Sequence, residues 1–198
     1  MGEQTYAAAK AAIDEKRREI LALRDEMRAL QAAAPAEPVN DYELAGWDGP
    51  VRLSELFRDK DELIVVHNMG RRCAYCTMWA DGFNGVYGHL ASRAAFVVTS
   101  PDDVETQKAF ASGRGWRFPM ASHAGASFAE DLGYWRPDWV GRGPTYWPGV
   151  SALRKGPEGI VRVADASLGP YDDFCAVYHL FALLPGADAG WEPRFVYA

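Results

Sequence analysis

The chain has 198 residues, with 21 Lys and Arg against 27 Asp and Glu, a formal net charge of −6, 48% hydrophobic residues and 13% aromatics. That apolar content excludes wholesale disorder and supports a core that needs no disulfide staples. The acidic balance, with no basic stripe, argues against a nucleic-acid partner, and no apolar run reaches the roughly 20 residues of a membrane span.

Residues 1–10 show no basic region followed by an apolar core, so no leader is legible. Three cysteines make an odd, low count that suits a reducing compartment better than a secreted disulfide framework. The expectation is a soluble, cytoplasmic protein.

The first region, residues 1–38, reads as one long amphipathic helix and its stop. Tyr6, Ile13, Ile20 and Met27 recur every seven residues, and Leu23 and Leu30 follow the last two by three. Ala34-Pro35-Ala36-Glu37-Pro38 ends the pattern. Ala9 and Lys16 occupy two inner positions and thin the stripe, which argues against a long independent coiled coil. Docking on its own domain and a short pairing with a second protomer, a homodimer through this helix, both remain open.

Residues 39–185 turn α/β. Tyr42–Ala45, Asp48-Gly49 and Val51–Leu53 read as a short hairpin, and Ser54 as the cap of a helical turn through Phe57. Leu63–His67 and Ala95–Thr99 are continuous apolar runs, the mark of strands buried on both faces. Between them Ala74 to about Ser92 reads as a helix, and Asp102–Ser112 as another, begun near Pro101. This β-α-β-α order predicts a parallel sheet with right-handed crossovers.

Further on, Phe118–Ser122 reads as a short strand and Ser127–Leu132 as a helical turn. Gly133–Gly149 reads as a long aromatic loop, Val150–Arg154 and Ile160–Ala164 as a hairpin, and Tyr171–Leu184 as a last amphipathic helix with Phe174, Val177, Tyr178 and Phe181 on one face. Residues 186–198 read as a tail.

The sharpest chemical signal is Cys73-Ala74-Tyr75-Cys76, directly after a buried strand and at a helix start. A thiolate is the nucleophile of disulfide exchange, and a helix N-terminus sets free amides and partial positive charge against it. Arg71 and Arg72 are expected to stabilise that thiolate further. Cys76, one turn on, is placed to resolve a mixed disulfide. Two other readings stay open. A zinc site needs about four ligands, and only Cys175 and four scattered histidines remain, so no metal and no cofactor is expected. The pair could also be two inert buried cysteines, since free Cys is commonly buried; the chain would then be a redox-inert scaffold whose loop aromatics Trp135, Trp139, Tyr146 and Trp147 bind a partner or roof the core. Cys175, beside Phe174 and Val177, reads as core.

The order strand, CxxC, helix, strand, helix, proline-preceded hairpin and closing helix resembles the thioredoxin fold, a three-layer α/β sandwich. Leu63-Ile64-Val65-Val66-His67-Asn68-Met69-Gly70, Cys73 to Cys76, and Trp79-Ala80-Asp81-Gly82-Phe83-Asn84-Gly85 resemble a narrower group, a bacterial family of thioredoxin-like proteins known as a domain of unknown function. Asp48-Gly49-Pro50, Leu56-Phe57, Gly115-Trp116-Arg117-Phe118-Pro119 and Asp131-Leu132-Gly133 fit the same resemblance, which covers about residues 40 to 185. It implies the fold and names no substrate.

Resemblance to thioredoxins implies three further expectations. A cis proline should precede the hairpin strand facing the cysteines, its backbone receiving an extended substrate; Pro148 holds that position. Tyr75, Trp147 and Pro148 are then the candidate substrate contacts. His67, six residues before Cys73, stands where thioredoxins carry a buried acid beneath the second cysteine, and is expected to accept the proton of Cys76. The expected activity is thiol–disulfide exchange with protein or small-molecule thiols.

Peroxiredoxins share the opening hairpin and are the nearest enzymatic alternative. Their reactive cysteine follows a proline by seven residues and a Thr or Ser by three. Val66 and Gly70 stand there before Cys73, and Met69 and Cys73 before Cys76, so neither cysteine carries that signature.

Overall fold

The structure, a computed structural model, describes residues 5–141 and 143–197. The chain divides into two compact units between Ala36 and Glu37. The first holds α1 (Tyr6–Ala33), the helix that the seven-residue stripe predicts. Thr5 caps it, its Oγ1 accepting from the Ala8 amide at 3.3 Å. The second unit opens on Glu37–Val39, a strand, β1, paired with residues 160–162.

The second unit continues with β2 (Glu43–Gly46), β3 (Gly49–Arg52), a 3-10 turn (Leu53–Phe57), β4 (Glu62–His67), α2 (Ala74–Arg93), β5 (Ala95–Ser100), α3 (Val104–Arg114) and β6 (Met120–Ser122). It ends with α4 (Phe128–Asp131), β7 (Trp135–Arg136), β8 (Thr145–Tyr146), β9 (Gly149–Gly156), β10 (Gly159–Ser167) and α5 (Ala176–Phe181). Eight strands form one sheet in the order β1-β10-β9-β4-β5-β6-β2-β3. β4, β5 and β6 run parallel, as the βα repeats require, and the hairpins add antiparallel strands outside them.

β5 is buried along its whole length, which is why its sequence shows no alternation. Two apolar layers flank the sheet. One joins Leu63, Val65 and Val97 to Phe57, Phe128 and Tyr134. The other joins Val66, Phe96 and Val98 to Trp79 and Phe83 of α2 and Ala111 of α3. The period-2 alternation of a strand thus sends consecutive β4 residues to opposite layers.

Several local expectations are corrected. Ser54 does not cap the 3-10 turn: the turn begins at Leu53, and both the Ser54 amide and hydroxyl bond Asp41 at 2.8 Å. α3 starts at Val104 because Asp103 caps it, accepting from the Thr106 amide at 2.8 Å. The loop 133–149 contains its own two-stranded ladder, β7 against β8. The last helix is shorter than its pattern. Asp172 accepts from the amides of Gly169 and Phe174, a turn that competes with helix before Ala176, and Phe174 is left exposed. Residues beyond 185 pack back on the unit: Trp191 lies edge-on to Tyr178 and Phe181, and the Phe195 carbonyl accepts from Arg114 at 3.1 Å. Among the described residues no helix is long and apolar enough to cross a membrane.

Candidate active site at the start of α2

The chain leaves β4 at His67 and reaches α2 through residues 68–73, and side chains hold that path. Asn68 is buried; its Oδ1 accepts from the Gly70 amide at 2.7 Å and its Nδ2 donates to the Cys76 carbonyl at 3.4 Å. Gly70 has φ +97, and a Cβ there would stand 2.9 Å from Asp102 Oδ2. That carboxylate takes the Arg71 amide at 2.7 Å, so the loop closes against it only because residue 70 lacks a side chain. The Cys73 amide then donates to the Gly70 carbonyl at 3.1 Å.

Cys73 is the N-cap of α2 and is half-buried. Its Sγ accepts from the Cys76 amide at 3.1 Å, the bond an N-cap oxygen makes elsewhere. The Cys76 thiol, donating to Cys73 Sγ, and the amides of Cys76 and Tyr75 hold the Cys73 thiol below its ordinary value against the opposing effect of burial. Cys76 is buried, and the bond it donates to Cys73 together with desolvation push its thiol well above the ordinary value. One sulfur is therefore disposed to be the thiolate and its neighbour to hold the proton. No three of His, Cys, Asp and Glu come together as metal ligands among the described residues.

Arg71 and Arg72, the two flanking cations, are exposed. Tyr75 is half-buried, its ring centroid 6.2 Å from that of Trp79.

His67 is not beneath Cys76. It shares a β4 face with Leu63 and Val65, so it lies in the layer opposite α2, stacked on Tyr134 at 3.7 Å and Phe128 at 5.5 Å between ring centroids. Its Nε2 bonds Ser151 Oγ at 3.0 Å. Burial, with the charges of His123 and Arg162, holds its pKa well below the ordinary value. The residue adjoining Cys76 is the next one along, Asn68. No pattern marked Asn68 in the sequence, because its role depends on how the loop curls back on α2.

The Trp147–Pro148 bond is trans, as are all peptide bonds among the described residues, which corrects the cis expectation. β9 pairs Gly149 with His67, so Pro148 leaves the sheet beside the strand that leads to the cysteines. The backbone expected to receive substrate is already engaged: the Trp147 amide donates to Tyr134 O at 2.8 Å and Pro148 O accepts from Leu168 at 3.1 Å. The Trp147 ring is half-buried against Trp139 at 4.4 Å and under the Arg136 guanidinium. Cys175 caps α5 and borders a cavity of about 620 Å³ beside α2 that neither Cys73 nor Cys76 lines; burial raises its thiol.

Sheet order, crossovers and the helix that starts at Cys73 define a thioredoxin-like α/β sandwich. The chain belongs to the bacterial proteins of unknown function designated DUF899, whose family model matches residues 1–182 and so takes in α1 as well as the residues on which the resemblance rested. No curated protein matches it. Among solved structures it is similar to peroxidoxin BcpB from Mycobacterium tuberculosis, with 25% identity and a TM-score of 0.56 over 67% of this chain and 84% of that one. It is also similar to reduced Prx3 from Vibrio vulnificus, with 17% identity and a TM-score of 0.59 over 76% and 97%. The bacterioferritin comigratory protein of Xanthomonas campestris matches at 18% identity and a TM-score of 0.55 over 75% and 91%.

Proposed function

We propose that this chain is a thiol–disulfide oxidoreductase acting on protein or small-molecule disulfides in the cytoplasm, with Cys73 attacking and Cys76 resolving. The observation that carries the reading is the Cys73 sulfur at the N-cap of α2, accepting from the Cys76 amide at 3.1 Å, with the Cys76 side chain buried one turn on. The Cys73 thiolate attacks one sulfur of the substrate, forming a mixed disulfide and expelling the other sulfur as a thiolate. Cys76 loses its proton to that leaving group and attacks Cys73 Sγ, releasing the second thiolate. The substrate gains two electrons and the pair ends as a Cys73–Cys76 disulfide.

Single-turnover reduction of 5,5′-dithiobis(2-nitrobenzoate) by reduced protein tests it. Cys73→Ser abolishes the fast release, and Cys76→Ser stops at an adduct on Cys73 detectable by intact mass. The pH midpoint of Cys73 alkylation falls below that of an ordinary thiol; a midpoint at or above it overturns the reading.

The peroxiredoxin neighbours favour a second reading, in which the Cys73 thiolate attacks hydrogen peroxide, forming a sulfenic acid and releasing hydroxide, and the Cys76 thiol condenses with it to the disulfide, releasing water. Peroxide oxidation of the pair at a rate matching the aromatic disulfide would move the assignment there.

A further inference from the structure

We infer that α1 pairs with α1 of a second copy of this chain as a short, parallel, two-stranded coiled coil. Taken by itself the helix buries none of its residues, so Ile13, Ile20, Leu23, Met27 and Leu30 find no core within their own unit. The stripe fixes a heptad register. Tyr6, Ile13, Ile20 and Met27 take position a, and Ala9, Lys16, Leu23 and Leu30 take position d. From Ile20 to Leu30 the large apolar residues keep to a and d, Leu21 at b excepted, and such a narrow seam with a 3.5-residue period belongs to supercoiled pairs, whereas a helix lying on a globular surface carries a broader stripe near 3.6. β-branched Ile at a with Leu at d favours two strands.

The flanking charges select both the partner and the direction. Lys10, Arg17 and Arg24 occupy the e positions, and Glu19 and Glu26 occupy g. In a parallel pair each g residue faces the e residue five places on in the other copy. Glu19 then meets Arg24 twice by symmetry, and no like-charged g–e contact arises. An antiparallel pair would set e against e and g against g, basic on basic and acidic on acidic. Identical helices are therefore self-complementary in one direction only.

Lys16 at d interrupts the seam, and its ammonium is held by Glu19 at 2.9 Å. It confines tight packing to Ile20–Leu30, and a slip by one heptad would set Lys16 against Leu23. A single polar residue in the seam fixes register at a cost in stability. With so short an apolar seam the pairing is weak and depends on concentration.

Light scattering and sedimentation of the full chain over a wide concentration range test this. The mass should rise toward twice that of one chain. Leu23→Glu with Leu30→Glu should hold it at one chain throughout, with the thermal unfolding of the second unit unchanged. Glu19→Arg alone and Arg24→Glu alone should each weaken association roughly tenfold, since each turns two attractive contacts into repulsive ones. Glu19→Arg combined with Arg24→Glu should restore it. A mass of one chain at every concentration overturns the proposal, as does an association that the two leucine substitutions leave unchanged. A single charge reversal that strengthens association overturns the parallel orientation.

Discussion

His67 and Asn68 are neighbours in the chain, yet they belong to different environments. Asn68 turns to α2 and binds the loop and first turn that present Cys73. His67 turns the other way, into an aromatic layer where it stacks with Tyr134 and Phe128 and Ser151 takes its Nε2. That second cluster is closely fitted: a Cβ at Gly149 would stand 2.1 Å from the Tyr134 ring. The Tyr134 hydroxyl donates to Val150 O at 3.0 Å and accepts from Ser151 at 3.3 Å. One face of the sheet end therefore holds the loop that carries Cys73 and the other holds a packed aromatic layer, with a single peptide between them.

Truncating each neighbour separates the two roles with the largest expected effect. His67→Ala removes a fully buried, stacked ring and should cost about 4 kcal/mol of stability, in the range of aromatic truncations in cores. The pH midpoint of Cys73 alkylation should not move. Asn68→Ala should cost about 1–2 kcal/mol for its lost bonds and should shift that midpoint. Denaturant unfolding beside alkylation kinetics reads both, and a midpoint displaced by His67→Ala but not by Asn68→Ala would reverse the division.

Acid probes the same face. Burial holds His123 down to about 4 and His67 well below its ordinary value, so both are neutral when folded and bind protons more readily unfolded. Stability is then complete above the unfolded value of about 6.5 and falls as pH drops below it, by up to about 3 kcal/mol for His123 by pH 4. Melting temperatures between pH 7.5 and 4.5 should fall steeply for the native chain and less for His123→Phe. Equal slopes would show that His123 is not the group responsible.

A smaller effect is expected on the other face. Gly70→Ala meets both a positive φ and the Asp102 carboxylate, and should cost about 2 kcal/mol. Because Asp102 must then release the Arg71 amide, the Cys73 loop should loosen, read as faster amide exchange at Arg71 and a changed alkylation rate. Unaltered exchange would mean that the loop does not depend on that contact.

Much of this was legible in the residues, and the exceptions share a cause. Apolar runs, caps and the cysteine spacing gave β4, β5 and α2 to within a residue or two. Side-chain direction at the end of β4 was not legible, because Leu63–His67 is apolar throughout and lacks the alternation that would assign faces. Counting by twos from Leu63 would have put His67 with Val65, but which layer receives α2 is set only by the crossover. Asn68 and Asp102 act through a loop whose curl depends on a positive φ at Gly70, one of many glycines in the chain. The trans bond at Pro148 is the ordinary state of an X–Pro bond; the cis expectation comes from the thioredoxin resemblance and not from the local residues.

The two rims of the sheet share a further feature. β1 carries Pro38 and β3 carries Pro50, in strands of three and four residues that lie at the two ends of the strand order. A free strand edge is a template on which another molecule's strand can crystallise into fibre. Proline lacks the amide proton that such growth needs and is accommodated on outermost strands, where one row of donors has no partner to lose. A strand arriving at either rim would meet a short ladder with a rung missing. Strand addition from another copy is disfavoured at both rims by the same two residues.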